Sequence, residues 1–190
     1  KNIKVNLIGD HNISNATAAT AIALNLGIKI NKIKKALNKF LGIQRRFTKI
    51  FSYENKEFYD DYAHHPTEIQ AVINSARQIY KERKIICVFQ PHRFSRVNLL
   101  KKEFASSFKK SSEVVLCPVY SAGEKNKYSF DQEKFSQLIS NKSKIQVINI
   151  LNKEQLKNYF KKNLISNELI ICMGAGSISN WIREISGKFK

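Results

Sequence analysis

The sequence predicts a doubly wound, mostly parallel α/β domain. Three observations predict it. Helix-like and strand-like patterns alternate from residue 66 to residue 187. The runs Ile85-Ile86-Cys87-Val88-Phe89 and Leu169-Ile170-Ile171-Cys172-Met173 are apolar throughout, as strands covered on both faces are. Residues able to do chemistry gather just after such runs, at the edge where open α/β sheets bind ligands.

The elements follow in order. Residues 13–25 read as a helix, with Ile13, Ala16, Thr20, Ala23 and Leu24 at helical spacing and Gly27 placed to end it; a second helix is expected near 30–40. Aromatic and β-branched flanks around Asn55-Lys56 predict a hairpin over 47–53 and 57–61. Helix 66–80 carries Ile69, Val72, Ile73, Ala76 and Ile79 on one face. Strand 84–90, helix 96–110, strand 113–120, helix 131–140, strand 144–150, helix 153–162 and strand 168–173 come next. Helix 177–187, with Ile178, Trp181, Ile182 and Ile185, closes the series. The two first helices have no strands of their own, so a boundary is expected at Gly42-Ile43-Gln44. Residues 1–43 then form the tail of a preceding domain, and residues 44–190 a domain of their own.

Composition narrows the function classes. The 190 residues suffice for one core with a small appendage, and no apolar run spans a bilayer. Lys1 opens the chain without a methionine and no signal segment follows, so a cytoplasmic piece of something longer is expected. Cys87, Cys117 and Cys172 sit singly in apolar runs, which suits reduced, buried thiols. The formal charge of +18 invites a nucleic-acid reading. Lysines on wet helix faces explain it more simply, and no interleaved aromatics accompany them. No nucleic-acid or membrane partner is expected.

Two strings dominate: Asp60-Asp61-Tyr62-Ala63-His64-His65-Pro66-Thr67-Glu68 and Phe89-Gln90-Pro91-His92-Arg93-Phe94-Ser95-Arg96. Arg93 and Arg96 bracket a helix start, where paired guanidinium groups can clamp a carboxylate or phosphate. The alternative is a surface ion pair with Glu103. Asp60 and Asp61 could hold magnesium, accept ribose hydroxyls or cap a turn. A zinc site is disfavoured, because adjacent histidines point apart and no Cys or His stands at ligand spacing. In His11-Asn12-Ile13-Ser14-Asn15, Asn12 or Ser14 would serve as an N-cap, or the amides would meet an adenine edge. Arg45-Arg46-Phe47 is a basic linker or a phosphate cation. Gly174-Ala175-Gly176-Ser177 reads as a tight strand-to-helix turn rather than a nucleotide cradle.

Taken together, Gly9 to Ala16, Arg45-Arg46-Phe47, Asp60 to Glu68 and Phe89 to Arg96 resemble the Mur ligase family in order and spacing along most of the chain. Both dominant strings resemble those of its alanine-adding branch; the muropeptide-recycling branch shares the first string and not the second. The resemblance implies a Rossmann-like C-terminal ligase domain behind two helices from the end of a central ATP-binding domain. It also implies an enzyme of peptidoglycan synthesis that joins L-alanine to UDP-N-acetylmuramate with ATP and Mg2+, through an acyl phosphate. By motif position, His11, Asn12 and Asn15 would meet the adenine, Arg46 the nucleotide and Asp61 the ribose. Tyr62, His64, His92, Arg93 and Arg96 would surround L-alanine, with His64 and Arg93 as the catalytic pair. No protein-held metal is implied, since most magnesium ligands would lie outside this chain. No GxxxxGK[ST] loop occurs, so the chain alone is expected to be inactive. The competing readings are a non-catalytic nucleotide- or amino-acid-binding module and a basic nucleic-acid-binding domain.

Overall fold

A computed structural model describes residues 2–7, 9–40 and 42–189. It divides into two units, Lys1–Gln44 and Arg45–Lys190. The first holds helices α1 (Asp10–Asn25) and α2 (Ile30–Lys39). Helix α1 starts three residues before the expected position: Gly9, at φ 99°, is the N-cap, and its carbonyl accepts from Asn12 N–H at 2.9 Å. Asn12 and Ser14 therefore lie inside the helix and neither caps it. The chain leaves α1 through Gly27 at φ 76°, a left-handed position that glycine reaches without a Cβ clash.

The second unit is a six-stranded sheet in the order β1-β2-β6-β3-β4-β5. Strands β1 (Thr48–Tyr53) and β2 (Lys56–Asp61) form the expected hairpin, antiparallel. Its tight turn is Glu54-Asn55, both at positive φ, which matches the twist of the flanking strands. Strands β3 (Lys84–Phe89), β4 (Glu113–Leu116), β5 (Gln146–Asn149) and β6 (Glu168–Met173) are all parallel to β2. Helices α3 (Pro66–Ile79), α4 (Phe94–Leu99), α5 (Lys101–Ala105) and α6 (Gln132–Ser143) connect β2 through β5. Helices α7 (Lys153–Lys162) and α8 (Ile178–Ser186) flank β6 in the chain.

The uniformly apolar strands resolve into two cores. Cys87, Phe89, Leu169, Ile171 and Met173 pack with α3, α5 and α6 on one face, while Ile86, Val88, Ile170 and Cys172 pack with α7 and α8 on the other. Fully burying side chains such as Phe58, Phe89, Phe104 and Phe108 contributes about 1.5–3 kcal/mol each. Because α4 follows β3 on one face and α8 follows β6 on the other, the switch point of the sheet lies between these neighbouring strands.

In the second unit two elements differ most from expectation. The single helix expected over 96–110 is two short ones, broken at Leu100, and the second ends at Ala105, where Ser143 of α6 takes over: the Ser143 hydroxyl donates to Ala105 O at 2.6 Å and accepts from Phe108 N–H at 3.3 Å. Strand β4 stops at Leu116 rather than 120, since Pro118 has no N–H to give the ladder. Pairing resumes only at an isolated bridge between His92 and Tyr120. Among the described residues no helix is long and apolar enough to cross a membrane.

Candidate functional site

Parallel pairing sets the strand ends level. Asp61 pairs with Met173 and Met173 with Phe89, so the loops after β2, β6 and β3 leave the sheet side by side. The loop after β4 joins them: Arg93 N–H donates to Tyr120 O at 2.9 Å, and Tyr120 N–H to Pro91 O at 2.8 Å.

Adjacent side chains on β2 point to opposite faces. Asp60, fully buried, turns towards α8, where Ser179 Oγ donates to Oδ2 at 2.5 Å and Arg183 at 3.1 Å, with Arg45 4.0 Å away. Asp61 turns the other way and accepts from Phe47 N–H at 2.7 Å and Ala63 N–H at 2.8 Å. The two carboxylates therefore form no shared metal site. Burial pushes the Asp61 carboxyl above its ordinary range, opposed by those two N–H donors.

His64 and His65 also part company. His65 is the N-cap of α3: its Nδ1 faces Thr67, while Glu68 Oε2 reaches back to the His65 N–H at 3.1 Å, a capping box. Pro66 fills the first turn, where its missing N–H costs nothing. His64 faces the strand-end edge, its ring 5.1 Å from Tyr62 and 5.9 Å from His92, edge to face in both cases. His64 Nδ1 lies 2.9 Å from Tyr62 O; a carbonyl only accepts, so the neutral ring carries its proton on Nδ1 and leaves Nε2 as an acceptor.

His92 has the opposite tautomer. Its Nδ1 accepts from Arg96 Nη1 at 3.4 Å, and its ring stacks on Tyr120 at 5.5 Å. Burial holds its pKa below the usual histidine value, reinforced by the charges of Arg96, His64 and Arg93. Arg93 is exposed and stands before α4 at φ 68°, ψ 129°. Neither Arg93 nor Arg96 is paired with Glu103 among the described ion pairs.

Tyr62, His64, His92, Arg93 and Arg96 are thus assembled from the loops after β2 and β3, forming an edge with cations, an imidazole acceptor and aromatic walls. Arg46 is exposed. His11 is described only in the backbone of α1, its side chain lying outside the described residues, and Asn12 and Asn15 stand in the first turns of that helix in the other unit.

Gln90, Tyr120 and Glu124 carry no role from the sequence, and Arg45 only the reading it shares with Arg46, a basic linker or a phosphate cation. Arg45, rather than Arg46, packs its guanidinium 4.6 Å from the Tyr62 ring centre and donates to Gly174 O at 2.5 Å. Gln90 accepts from Ile178 N–H at 3.0 Å and so occupies the start of α8, which leaves the Gly174–Ser177 turn packed rather than cradling an anion. Tyr120 and Glu124 belong to the loop after β4. Their only signal is position beyond an apolar run. Among the described residues no three His, Cys, Asp or Glu side chains gather as a metal site.

Comparison with known proteins agrees with this architecture. A profile of the Mur ligase glutamate ligase domain matches residues 45–176. A UDP-N-acetylmuramate–L-alanine ligase of Pelagibacter ubique is 49% identical over 185 residues, 97% of this chain and 40% of that protein. The corresponding ligase of Aquifex aeolicus is 37% identical over 96% of this chain and 39% of its own. A solved UDP-N-acetylmuramate-alanine ligase from Thermotoga maritima superposes with a TM-score of 0.79 at 27% identity, covering 98% of this chain and 39% of that one. A murein peptide ligase from Psychrobacter arcticus shares the fold, with a TM-score of 0.73 at 20% identity over 98% of this chain and 38% of its own. The chain spans 40% and 39% of the length of these curated relatives. With the domain profile covering most of its length, the chain belongs to the Mur ligase family.

Proposed function

We propose that this chain is the C-terminal part of an ATP-dependent ligase that joins L-alanine to UDP-N-acetylmuramate, residues 1–43 closing the ATP-binding domain and residues 44–190 forming the amino-acid-binding domain. The observation that carries the reading is the strand-end cluster of Tyr62, His64, His92, Arg93 and Arg96. The identity with the Pelagibacter ligase supports it.

L-Alanine arrives as a zwitterion. Its carboxylate suits Arg93 and Arg96, whose planar guanidinium groups give paired, charge-assisted hydrogen bonds. Its ammonium must lose one proton before the nitrogen lone pair can attack. His64 Nε2 is the acceptor for that proton, because Nδ1 is committed to Tyr62 O. The rings of Tyr62 and His92 wall the amino acid and hold the amine near the reacting carbon.

His11, Asn12 and Asn15 on the first unit, and Arg46 and Asp61 on the second, are the proposed contacts to ATP. When bound, ATP supplies the phosphoryl group that activates the muramoyl carboxylate. The exposed Arg46 suits a phosphate, whereas each Asp61 oxygen already accepts from a backbone N–H, which leaves a ribose hydroxyl only their remaining lone pairs. Among the described residues no three His, Cys, Asp or Glu side chains gather to hold Mg2+, so most of its protein ligands are assigned to the part of the ligase outside this chain.

The test uses this chain extended upstream to the length of its relatives. Phosphate release from ATP is followed with UDP-N-acetylmuramate and each of L-alanine, glycine and D-glutamate. L-Alanine is expected to drive release best, and Arg93→Ala to raise the KM for L-alanine about 100-fold. Equal release with D-glutamate would overturn the reading.

A further inference from the structure

Arg93 stands in a backbone conformation, φ 68° and ψ 129°, that a residue with a long side chain rarely adopts. It precedes α4, and that helix has no side-chain cap from its own N-cap residue. Strain of this kind persists only where the surroundings over-determine it. Here the surroundings come from the loop after β4. On one side of the strained residue Tyr120 O accepts the Arg93 N–H at 2.9 Å. On the other, the Glu124 carboxylate takes the Ser95 N–H on Oε2 at 3.0 Å and the Ser95 hydroxyl on Oε1 at 2.6 Å. Glu124 itself is fixed by a turn, its N–H donating to Ser121 O at 3.0 Å, next to Ala122 and Gly123 at positive φ. The Ser95 hydroxyl and N–H hold its carboxyl below the usual range, so it stays ionised at neutral pH.

We propose that Glu124 is a positioning residue for Arg93: by gripping Ser95 while Tyr120 holds the Arg93 N–H, it fixes the direction in which the Arg93 guanidinium meets the amino acid's carboxylate. The proposal rests on the reading of Arg93 as that carboxylate's partner. Glu124 touches no reacting atom and acts through the backbone of residues 93–95. Its removal therefore lowers amino-acid affinity while leaving the nucleotide steps alone.

The experiment compares wild type, Glu124→Ala and Glu124→Gln in the chain extended to its relatives' length, after alanine-dependent phosphate release has been established for the wild type. Three KM values are measured, together with hydrogen exchange of the peptide spanning residues 91–99. Glu124→Ala is expected to raise the KM for L-alanine about tenfold, with the KM values for ATP and UDP-N-acetylmuramate within about twofold and faster exchange in that peptide. Glu124→Gln keeps one acceptor for Ser95 and is expected to fall between. An unchanged alanine KM in Glu124→Ala, an equal rise in all three KM values, or unchanged exchange would each overturn the proposal. A wild type that ignores alanine is a failure of the functional reading, recorded before any variant is made, and it removes the proposal as well.

Discussion

His64 and His92 meet edge to face with their ring centres 5.9 Å apart, although β2 and β3, which they follow, are separated in the sheet by β6. Strands two places apart lie roughly 9.5 Å from each other, so the two loops lean together across the end of β6. What β6 offers at that point is Gly174-Ala175-Gly176, a turn with almost no side-chain bulk. A Cβ on Gly176 would collide with Tyr120 Cγ and come within 2.6 Å of Gln90 Oε1.

Gly176→Ala should therefore displace Tyr120 and, through the stacked ring, His92. Overpacking of this kind costs about 1–3 kcal/mol. Urea denaturation should show that loss, and the His92 ring resonances should shift. Gly27→Ala is a useful contrast, since nothing lies within 4 Å of its Cβ and its cost is confined to a backbone at φ +76°.

Asp60 makes the second prediction. It is fully buried and joins β2 to α8 through Ser179 and Arg183, with Arg45 at 4.0 Å. Removing a buried carboxylate that accepts from charged and hydroxyl donors leaves those donors unmatched, at about 2–3 kcal/mol. Asp60→Ala should lose that much in chemical denaturation. Asp60→Asn keeps one acceptor and should lose less. An Asp60→Ala variant as stable as wild type would mean that the Arg45 and Arg183 guanidinium groups find water instead.

The strands and the doubly wound order were legible because Ile85–Phe89 and Leu169–Met173 are apolar on both faces, a pattern that neither a half-exposed strand nor an amphipathic helix produces. Which face each residue takes was also implicit in the period of two: Cys87 and Cys172 fall in opposite cores. The end of that helical segment at Ala105 rather than 110 was not legible, because it is marked by Ser143 from another helix. The same holds for Arg45 against Arg46. Neighbouring arginines look equivalent in a string, and only the fold turns one onto Tyr62 and Gly174 and leaves the other exposed. Tyr120 and Glu124 went unnoticed because their partners, His92 and Ser95, lie about 28 residues away in the chain.

The chain by itself should not support ligation. Its 190 residues contain no GxxxxGK[ST] loop, so the backbone cradle and lysine that hold the terminal phosphate of ATP are missing. The purified chain is expected to show no alanine-dependent phosphate release above a protein-free control. Measurable release would mean that a different set of residues binds the nucleotide.

His92 gives the pH prediction. Burial, then the charges of Arg96, His64 and Arg93, lowers its folded pKa below the ordinary value of 6.5. The unfolded chain then binds the proton more readily than the folded one, so stability rises with pH wherever the two differ. Well above pH 6.5 both states are neutral at this residue and the contribution is constant. As pH falls from there towards the folded pKa, stability should drop, and His92→Gln should flatten that part of the curve. A carboxylate bound between Arg93 and Arg96 would offset two of the charges that disfavour protonation, and so raise the folded pKa. Titrating the His92 ring by NMR with and without L-alanine reads this directly, an upward shift being expected. A value indifferent to L-alanine at saturating concentration would place the carboxylate elsewhere than beside these two arginines.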